Sequence, residues 1–233
     1  MLATAAAFDD ILGAMLSRGL DRLRVRSASC VVLATLLVLA AAFVFDARIA
    51  AWSVHWKRPL LDAVVAVLNP VGSGMTLLGA CVVLVACGRG LRWSRLEAAA
   101  WLGALAFVCA GLLEFALKHL VSRARPDAGL PAVHFLGPAL VPDVDSFPSG
   151  HATSVFTVAT AFASFYPGLR PLLYALAAAV AVGRVYLARH YVSDIVAGAT
   201  IGIVIAILLR AHPAVKSRWL TPRGVAAHLQ TTR

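Results

Sequence analysis

Long apolar stretches restrict the possible folds of this sequence more than any other feature. They recur along the chain, in which 61% of the 233 residues are hydrophobic and 14% are charged. An apolar helix of about 20 residues crosses the roughly 30 Å hydrocarbon layer of a bilayer. The alternating pattern typical of transmembrane barrels is not found. The sequence therefore predicts an all-α integral membrane protein.

We predict a bundle of six transmembrane helices at about residues 29–45, 74–87, 97–117, 151–166, 172–187 and 192–209. Residues 60–68 are apolar but too short to cross, and the turn-forming residues 69–74 place the start of the second span near Gly74. Residues 1–27 carry arginines among apolar residues, so an amphipathic surface helix and a frayed basic tail are equally good interpretations. The predicted organisation is a cytoplasmic segment 1–27, a six-helix domain 28–210 and a basic cytoplasmic tail 211–233.

The formal net charge of +10 could indicate nucleic-acid binding, but the basic residues form short clusters between apolar spans. There they set membrane topology, and we predict no nucleic-acid partner. Of the 21 lysines and arginines, the face opposite the N-terminus would carry eight, namely Arg48, Lys57, Arg58, Lys118, Arg123, Arg125, Arg184 and Arg189. The positive-inside rule then predicts that both termini of this multi-pass protein lie in the cytoplasm. The composition, rich in alanine, valine and arginine, points to a bacterial inner (plasma) membrane.

The first group of polar residues at this outer face is Lys118 with Arg125 and Pro126, after the third span. Lysine offers a compact charge and arginine a flat fork of donors, a combination suited to phosphate oxygens. Snorkelling towards the interface is the better explanation for any one of these cations alone, and Arg123 is interpreted in that way.

The second group is Pro148, Ser149, Gly150 and His151, at the predicted start of the fourth span. Serine is a favoured helix N-cap, and a glycine lets an anion approach the backbone N–H groups of a helix N-terminus. His151 is placed to protonate a leaving oxygen as a general acid. An ordinary capped helix with an interfacial histidine explains this motif about as well.

The third group is Arg184 after Gly183, followed by His190 and Asp194 at the start of the sixth span. On a helix, residues four apart share one face, so the Asp194 carboxylate can accept the Nδ1 proton of His190 and leave Nε2 free to attack phosphorus. Arg184 would stabilise the charge of the transition state. A structural histidine–aspartate pair and a pair of metal ligands are the competing interpretations.

Together the three groups resemble the signature of the type 2 phosphatidic acid phosphatase (PAP2) superfamily, Lys-x6-Arg-Pro, then Pro-Ser-Gly-His, then Ser-Arg-x5-His-x3-Asp. They correspond here to residues 118–126, 148–151 and 183–194, and the resemblance covers about residues 101–208. Gly183 stands where the family usually has serine, which removes a hydroxyl next to Arg184.

The resemblance implies a membrane bundle of the PAP2/haloperoxidase-like type with an extracytoplasmic site that needs no metal and no cofactor. It implies a nucleophile at His190, oriented by Asp194, and a general acid at His151. It also implies a phosphate site made of Lys118, Arg125, Ser149, Gly150 and Arg184. The predicted substrate is a lipid phosphate, either a phosphomonoester or a pyrophosphate. A lipid phosphotransferase with the same intermediate and a non-catalytic protein of the same fold are the alternatives.

Four further features receive no functional role at this point. Glu114, four residues before Lys118, is interpreted as a plain ion-pair partner. Asn69 and residues 72–74 are interpreted as a turn near the site. The loop residues His134, Asp143 and Asp145 are interpreted as solvated. The four cysteines lie in or beside apolar stretches without a metal-ligand pattern.

Overall fold

The computed structural model describes residues 33–141 and 143–215. The predictions for the segment 1–27 and for residues 216–233 of the tail lie outside these residues. The chain divides into two compact units, 1–41 and 42–233. All predicted site residues belong to the second unit.

The described residues form seven α-helices and no β-strand. Helix α1 occupies residues 33–53 of the described chain. The others are α2 (Pro59–Val71), α3 (Gly74–Gly90), α4 (Ser94–Val121), α5 (Gly150–Phe165), α6 (Arg170–Tyr186) and α7 (Val192–Ala211). The predicted all-α class is thus confirmed for this part of the chain.

Among residues 33–141 and 143–215, four helical segments are long and apolar enough to cross a membrane, namely Leu33–Trp56, Ser94–Val121, Pro167–Tyr186 and Val192–Ala211. Helices α2 and α3 meet at a bend of 56°, and counting them as one broken span gives five. Helix α5, with 16 residues, rises about 24 Å at 1.5 Å per residue and is shorter than the hydrocarbon layer. The predicted number of six spans is therefore not confirmed by length and composition.

Two helical regions differ from the prediction. The first span was expected to end near residue 45, before the charge of Asp46, but the helix continues to residue 53, and Asp46 within it is buried against Arg123. Residues 60–68, predicted to be too short to cross, form most of α2, which extends into the predicted turn at residues 69–74. The start of α3 at Gly74 was predicted correctly, and the Ser73 side chain caps it by accepting a hydrogen bond from the Thr76 amide.

Helix α5 packs closely against α7 through two glycines. A Cβ atom at Gly198 would lie 2.6 Å from the Ser149 carbonyl oxygen, and one at Gly202 would lie 2.5 Å from the Thr153 carbonyl oxygen. Small residues four apart allow two helix backbones to approach in a membrane. This contact matters for function because α5 and α7 carry the second and third sequence motifs at their N-termini.

Replacing Gly202 by alanine should destabilise the bundle by about 1–3 kcal/mol, because backbone atoms of α5 would have to move to admit the methyl group. Gly79→Ala is the matched control, since a Cβ there meets nothing within 4 Å and alanine favours the helix by roughly 0.5–1 kcal/mol. Thermal unfolding in detergent measures both. Equal stability of the two variants would contradict the close packing.

The two ends of α5 have opposite surroundings. At its C-terminal end, Arg95, Arg170 and Arg210 donate hydrogen bonds to the carbonyl oxygens of residues 163–165. These arginines come from the set predicted to face the cytoplasm. The residues of the three motifs lie at the N-terminal end. These three arginines and the residues of the three motifs thus lie at opposite ends of α5.

Candidate active site

The residues of the three motifs come together where four helices begin or end. Lys118 lies in the last turn of α4 and Arg184 in the last turn of α6, while His151 lies in the first turn of α5 and Asp194 in the first turn of α7. His190 is in the short connection between α6 and α7. Residues separated by more than 70 positions in the sequence therefore meet at one end of the bundle.

The predicted N-cap of α5 is present, since the Ser149 hydroxyl accepts a hydrogen bond from the Ala152 amide at 3.4 Å. The Ser149 amide in turn donates to the Asp194 carbonyl oxygen at 3.0 Å, which joins the second and third motifs directly. At Gly150, a Cβ atom would lie 3.4 Å from Lys118 Nζ. The positive end of α5 and the Lys118 ammonium group therefore face the same space, as an anion site requires.

The Nδ1 atom of His190 lies 2.8 Å from the Ser146 carbonyl oxygen and 3.7 Å from Asp194 Oδ2. The hydrogen bond predicted from His190 to Asp194 is thus made to Ser146 instead. A carbonyl oxygen can only accept, so the neutral ring must carry its proton on Nδ1 and leave the lone pair on Nε2. Burial lowers the pKa of His190, which favours this neutral form.

The Asp194 carboxylate is fully buried and accepts three hydrogen bonds. Ser146 Oγ donates to Oδ2 at 2.6 Å, the Tyr191 amide donates to Oδ2 at 2.8 Å, and Arg123 Nη1 donates to Oδ1 at 2.6 Å. The carboxylate is therefore fixed in place, and its three donors favour the charged form, which can stabilise a positive charge that develops on the His190 ring.

Arg123 is a functional candidate that the sequence analysis missed, and the snorkelling interpretation is wrong. Its side chain is completely buried. It bridges Asp194 and Asp46 of α1, with an Nη2–Oδ2 distance of 2.8 Å to Asp46. Its guanidinium group lies 4.1 Å from the ring centroid of Tyr191 and 4.9 Å from that of Phe43. The charges of Asp46 and Arg123 are visible in the sequence, but they lie 77 positions apart, so nothing in the sequence indicates that they pair.

Each predicted phosphate-binding cation has an acceptor beside it. Lys118 Nζ lies 2.5 Å from Glu114 Oε1. Arg125 forms a two-pronged pair with Asp145 at 2.7 and 2.8 Å, which lowers the pKa of that carboxyl group. Asp145, in a loop and 38% exposed in its side chain, is thus an ion-pair partner as well as a partly solvated residue.

The third cation, Arg184, is mostly buried and donates from Nη1 to the Asn69 side-chain oxygen. Asn69 lies within α2 and not in the predicted turn, so the helix that the sequence analysis missed supplies a contact to the site. Gly183 beside Arg184 has ordinary space, because a Cβ atom there would lie 3.6 Å from Val65. Packing therefore does not explain the glycine in place of the family's serine.

His151 completes the cluster. Its Nε2 atom is buried and has no hydrogen-bond partner among the described residues. Arg184, His190 and Lys118 are all near enough to His151 to act on it electrostatically. The ring thus lies near the groups predicted to hold and attack a phosphate, as a general acid requires.

Metal ligation was one of the two competing interpretations of His190 and Asp194. Across residues 33–141 and 143–215, no three histidine, cysteine or carboxylate side chains are grouped to hold a metal ion. The Asp194 oxygens are instead occupied by an arginine, a hydroxyl and a backbone amide. Metal independence nevertheless stays a prediction, which a chelator assay can test.

An imidazole beside a buried carboxylate, close to Lys118, Arg184 and the N-terminus of α5 within an apolar bundle, is the arrangement expected of a membrane phosphatase. Residues 99–217 match the family model of the PAP2 superfamily. The chain belongs to this superfamily, as the three sequence motifs predicted.

Two relatives and one solved structure illustrate the similarity. The chain is 31% identical to a lipid A 1-phosphatase from Rhizobium johnstonii over 78% of its own length and 79% of the relative. It is 30% identical to phosphatidylglycerophosphatase B from Bacillus subtilis over 71% and 81% of the two chains. The crystal structure of a PAP2-type phosphatidylglycerolphosphate phosphatase from Bacillus subtilis superposes with a TM-score of 0.58 at 25% identity, covering 77% of this chain and 94% of that one.

Proposed function

We propose that this protein hydrolyses a phosphomonoester or a pyrophosphate on a membrane lipid through a phosphohistidine intermediate at His190. The observation that carries the proposal is the Nδ1 contact of His190 with the Ser146 carbonyl oxygen at 2.8 Å. This contact leaves Nε2 as an unprotonated nucleophile beside the cations that would hold a phosphoryl group.

In the first step, the lone pair on His190 Nε2 forms a bond to phosphorus as the bond from phosphorus to the lipid oxygen breaks. His151, in its protonated form, gives a proton to that oxygen, so the dephosphorylated lipid leaves as an alcohol or as a monophosphate. Lys118, Arg125 and Arg184 hold the phosphoryl oxygens, and stabilisation of their charge supplies most of the catalysis. Asp194 stabilises the positive charge shared by the phosphorylated ring.

In the second step, water attacks phosphorus as the bond from nitrogen to phosphorus breaks. His151, now neutral, takes a proton from the water, so that it returns to the protonated form while inorganic phosphate leaves. The same residue thus acts as acid and then as base. His190 regains its neutral state with the proton on Nδ1.

For topology, we propose six crossings: α1, the α2–α3 pair, and each helix from α4 to α7. Helix α5 is short, but it lies against α4, α6 and α7, so neighbouring protein rather than lipid surrounds much of it. Within an inner membrane, the positive-inside rule favours cytoplasmic termini and a site at the periplasmic or outer face. The lipid tail would stay in the bilayer while the head group enters between the helix ends.

The most informative experiment is a panel assay of the purified protein in detergent that measures phosphate released from four lipid classes. These are polyprenyl pyrophosphate, phosphatidylglycerol phosphate, phosphatidic acid and lipid A phosphates. We expect release from at least one class, inhibition by vanadate, and activity that survives a strong chelator. Transfer of labelled phosphate to another acceptor without free phosphate would replace hydrolysis by phosphotransfer, and loss of activity that divalent ions restore would refute a metal-free mechanism.

The pH dependence of kcat/KM should reflect the burial of His190. Burial lowers the pKa of this ring, so the neutral nucleophile persists as the pH falls through about 6.5, the usual value for histidine. We therefore expect kcat/KM to decrease at low pH as His190 becomes protonated, with the midpoint of this decrease below a pH of about 6.5. A pH series with a soluble short-chain lipid phosphate measures it, and a midpoint above that value would contradict a buried neutral nucleophile.

A further inference from the structure

Glu114 places a carboxylate in the space where a substrate phosphate is expected. A Cβ atom built on Gly150, the first residue of α5, would lie 3.0 Å from Glu114 Oε1 and 3.4 Å from Lys118 Nζ. The carboxylate therefore lies at the positive end of α5, in contact with the Lys118 ammonium group. An anion at a helix N-terminus beside a lysine is the arrangement that a bound phosphate would also adopt.

The low solvent exposure of Glu114 strengthens the electrostatic interactions of its carboxylate. The side chains of Glu114 and Lys118 are only 14% and 15% exposed, and their charged atoms are 2.5 Å apart. Charges that are partly shielded from water interact several times more strongly than charges in bulk solvent. A phosphate that contacts both the α5 N-terminus and Lys118 would therefore lie close to the Glu114 carboxylate and be repelled by it.

We propose that Glu114 is a built-in competitor of the substrate phosphate for Lys118 and the N-terminus of α5, and that it disfavours the more highly charged head groups. This inference rests on the proposed function, because it assigns the phosphate site to these two groups. Repulsion grows with the charge of the ligand, so Glu114 weakens binding of a diphosphate more than that of a monophosphate. It also limits retention of the product, inorganic phosphate.

The opposite role for Glu114 is also chemically reasonable, and it predicts the opposite effect on phosphate affinity. If the carboxylate served only to hold Lys118 in position, its removal would weaken phosphate binding. The neutral and nearly isosteric variant Glu114→Gln therefore separates the two roles by the direction of the change in affinity.

The test is isothermal titration of inorganic phosphate and of vanadate into the purified full chain in detergent. We expect Glu114→Gln to bind both anions about tenfold more tightly, as removal of one nearby charge predicts. Unchanged or weaker binding would overturn the proposal. Since titration needs no turnover, a protein that fails to hydrolyse lipids but shows the tighter binding would refute the proposed function alone.

Asp127→Asn is the matched control, because it makes the same change in net charge at an exposed ion pair with Arg189. We expect less than about a twofold change in affinity there, since solvent screens such charges. The affinity gain of Glu114→Gln should become clearly smaller in a Lys118→Met background, because one of the two positive groups for which the anions compete is then absent while the N-terminus of α5 remains. An equal gain in that background would count against competition.

A second variant and a turnover assay provide two further tests of the proposal. Should Glu114→Gln fold poorly, Glu114→Asp, whose carboxylate is one methylene shorter, should give a smaller gain of the same sign, and a loss would overturn the proposal. In turnover assays, Glu114→Gln should raise kcat/KM for a lipid diphosphate more than for the matching monophosphate. An unchanged ratio would refute the selectivity by charge.

Discussion

His190→Ala is expected to lose turnover by a factor of at least about 10⁴, while the protein remains folded. The reason is that Nε2 of this ring is the proposed nucleophile, and the Ser146 carbonyl oxygen at 2.8 Å fixes the tautomer that exposes its lone pair. Release of phosphate from a labelled lipid measures the loss. Rapid quenching of the wild-type reaction should trap an acid-labile phosphate on the chain, and the variant should trap none.

His119→Ala is the matched control for this experiment. His119 also lies at the site end of the bundle, but its Nδ1 atom contacts the Phe115 carbonyl oxygen one turn earlier in α4. We expect the control to keep nearly full activity. Substantial turnover by His190→Ala would remove this histidine from the role of nucleophile, even if the control behaved as expected.

Arg123→Met should produce the second large effect, a loss of about 3–5 kcal/mol in stability together with most of the activity. Its removal would leave Asp46 and Asp194, two fully buried carboxylates, without the cation that separates them. Asp194 would also lose a hydrogen bond of 2.6 Å and with it a fixed position beside His190. Thermal unfolding in detergent should show a decrease of roughly 10 °C.

The comparison for Arg123 is Arg189→Met. Arg189 forms an ion pair with Asp127 at 2.7 Å, but both side chains are well exposed, so its loss should cost at most about 1 kcal/mol. Adding Asp46→Asn to Arg123→Met should recover part of the stability, since one unpaired charge is then removed. Equal effects of the two single variants would show that burial of the Arg123 network contributes little.

The sequence predicted those residues of the candidate site that belong to short local motifs. The sequence motifs predict six site residues that the structure brings to one end of the bundle, namely Lys118, Ser149, His151, Arg184, His190 and Asp194. Alternation of the helices was enough to predict this, because helices that cross in turn place every second connection on the same face.

The acceptor of the His190 proton could not be predicted in this way. The spacing of four residues favoured Asp194, but the loop before α5 presents the Ser146 carbonyl oxygen at a shorter distance. A backbone oxygen carries no signal in the side-chain sequence. Its position depends on how residues 143–149 pack between the ends of α4 and α7.

By itself, the sequence determined the all-α membrane class and most helix positions, because apolar length and helix-breaking residues act locally. It also determined the set of catalytic candidates, because their chemistry belongs to residue types at fixed spacings. Only the tertiary structure decided that Asp46, Arg123 and Asp194 form one buried network and that Glu114 lies at the N-terminus of α5. Contacts between charges depend on distances across the bundle, and separation along the chain does not record them.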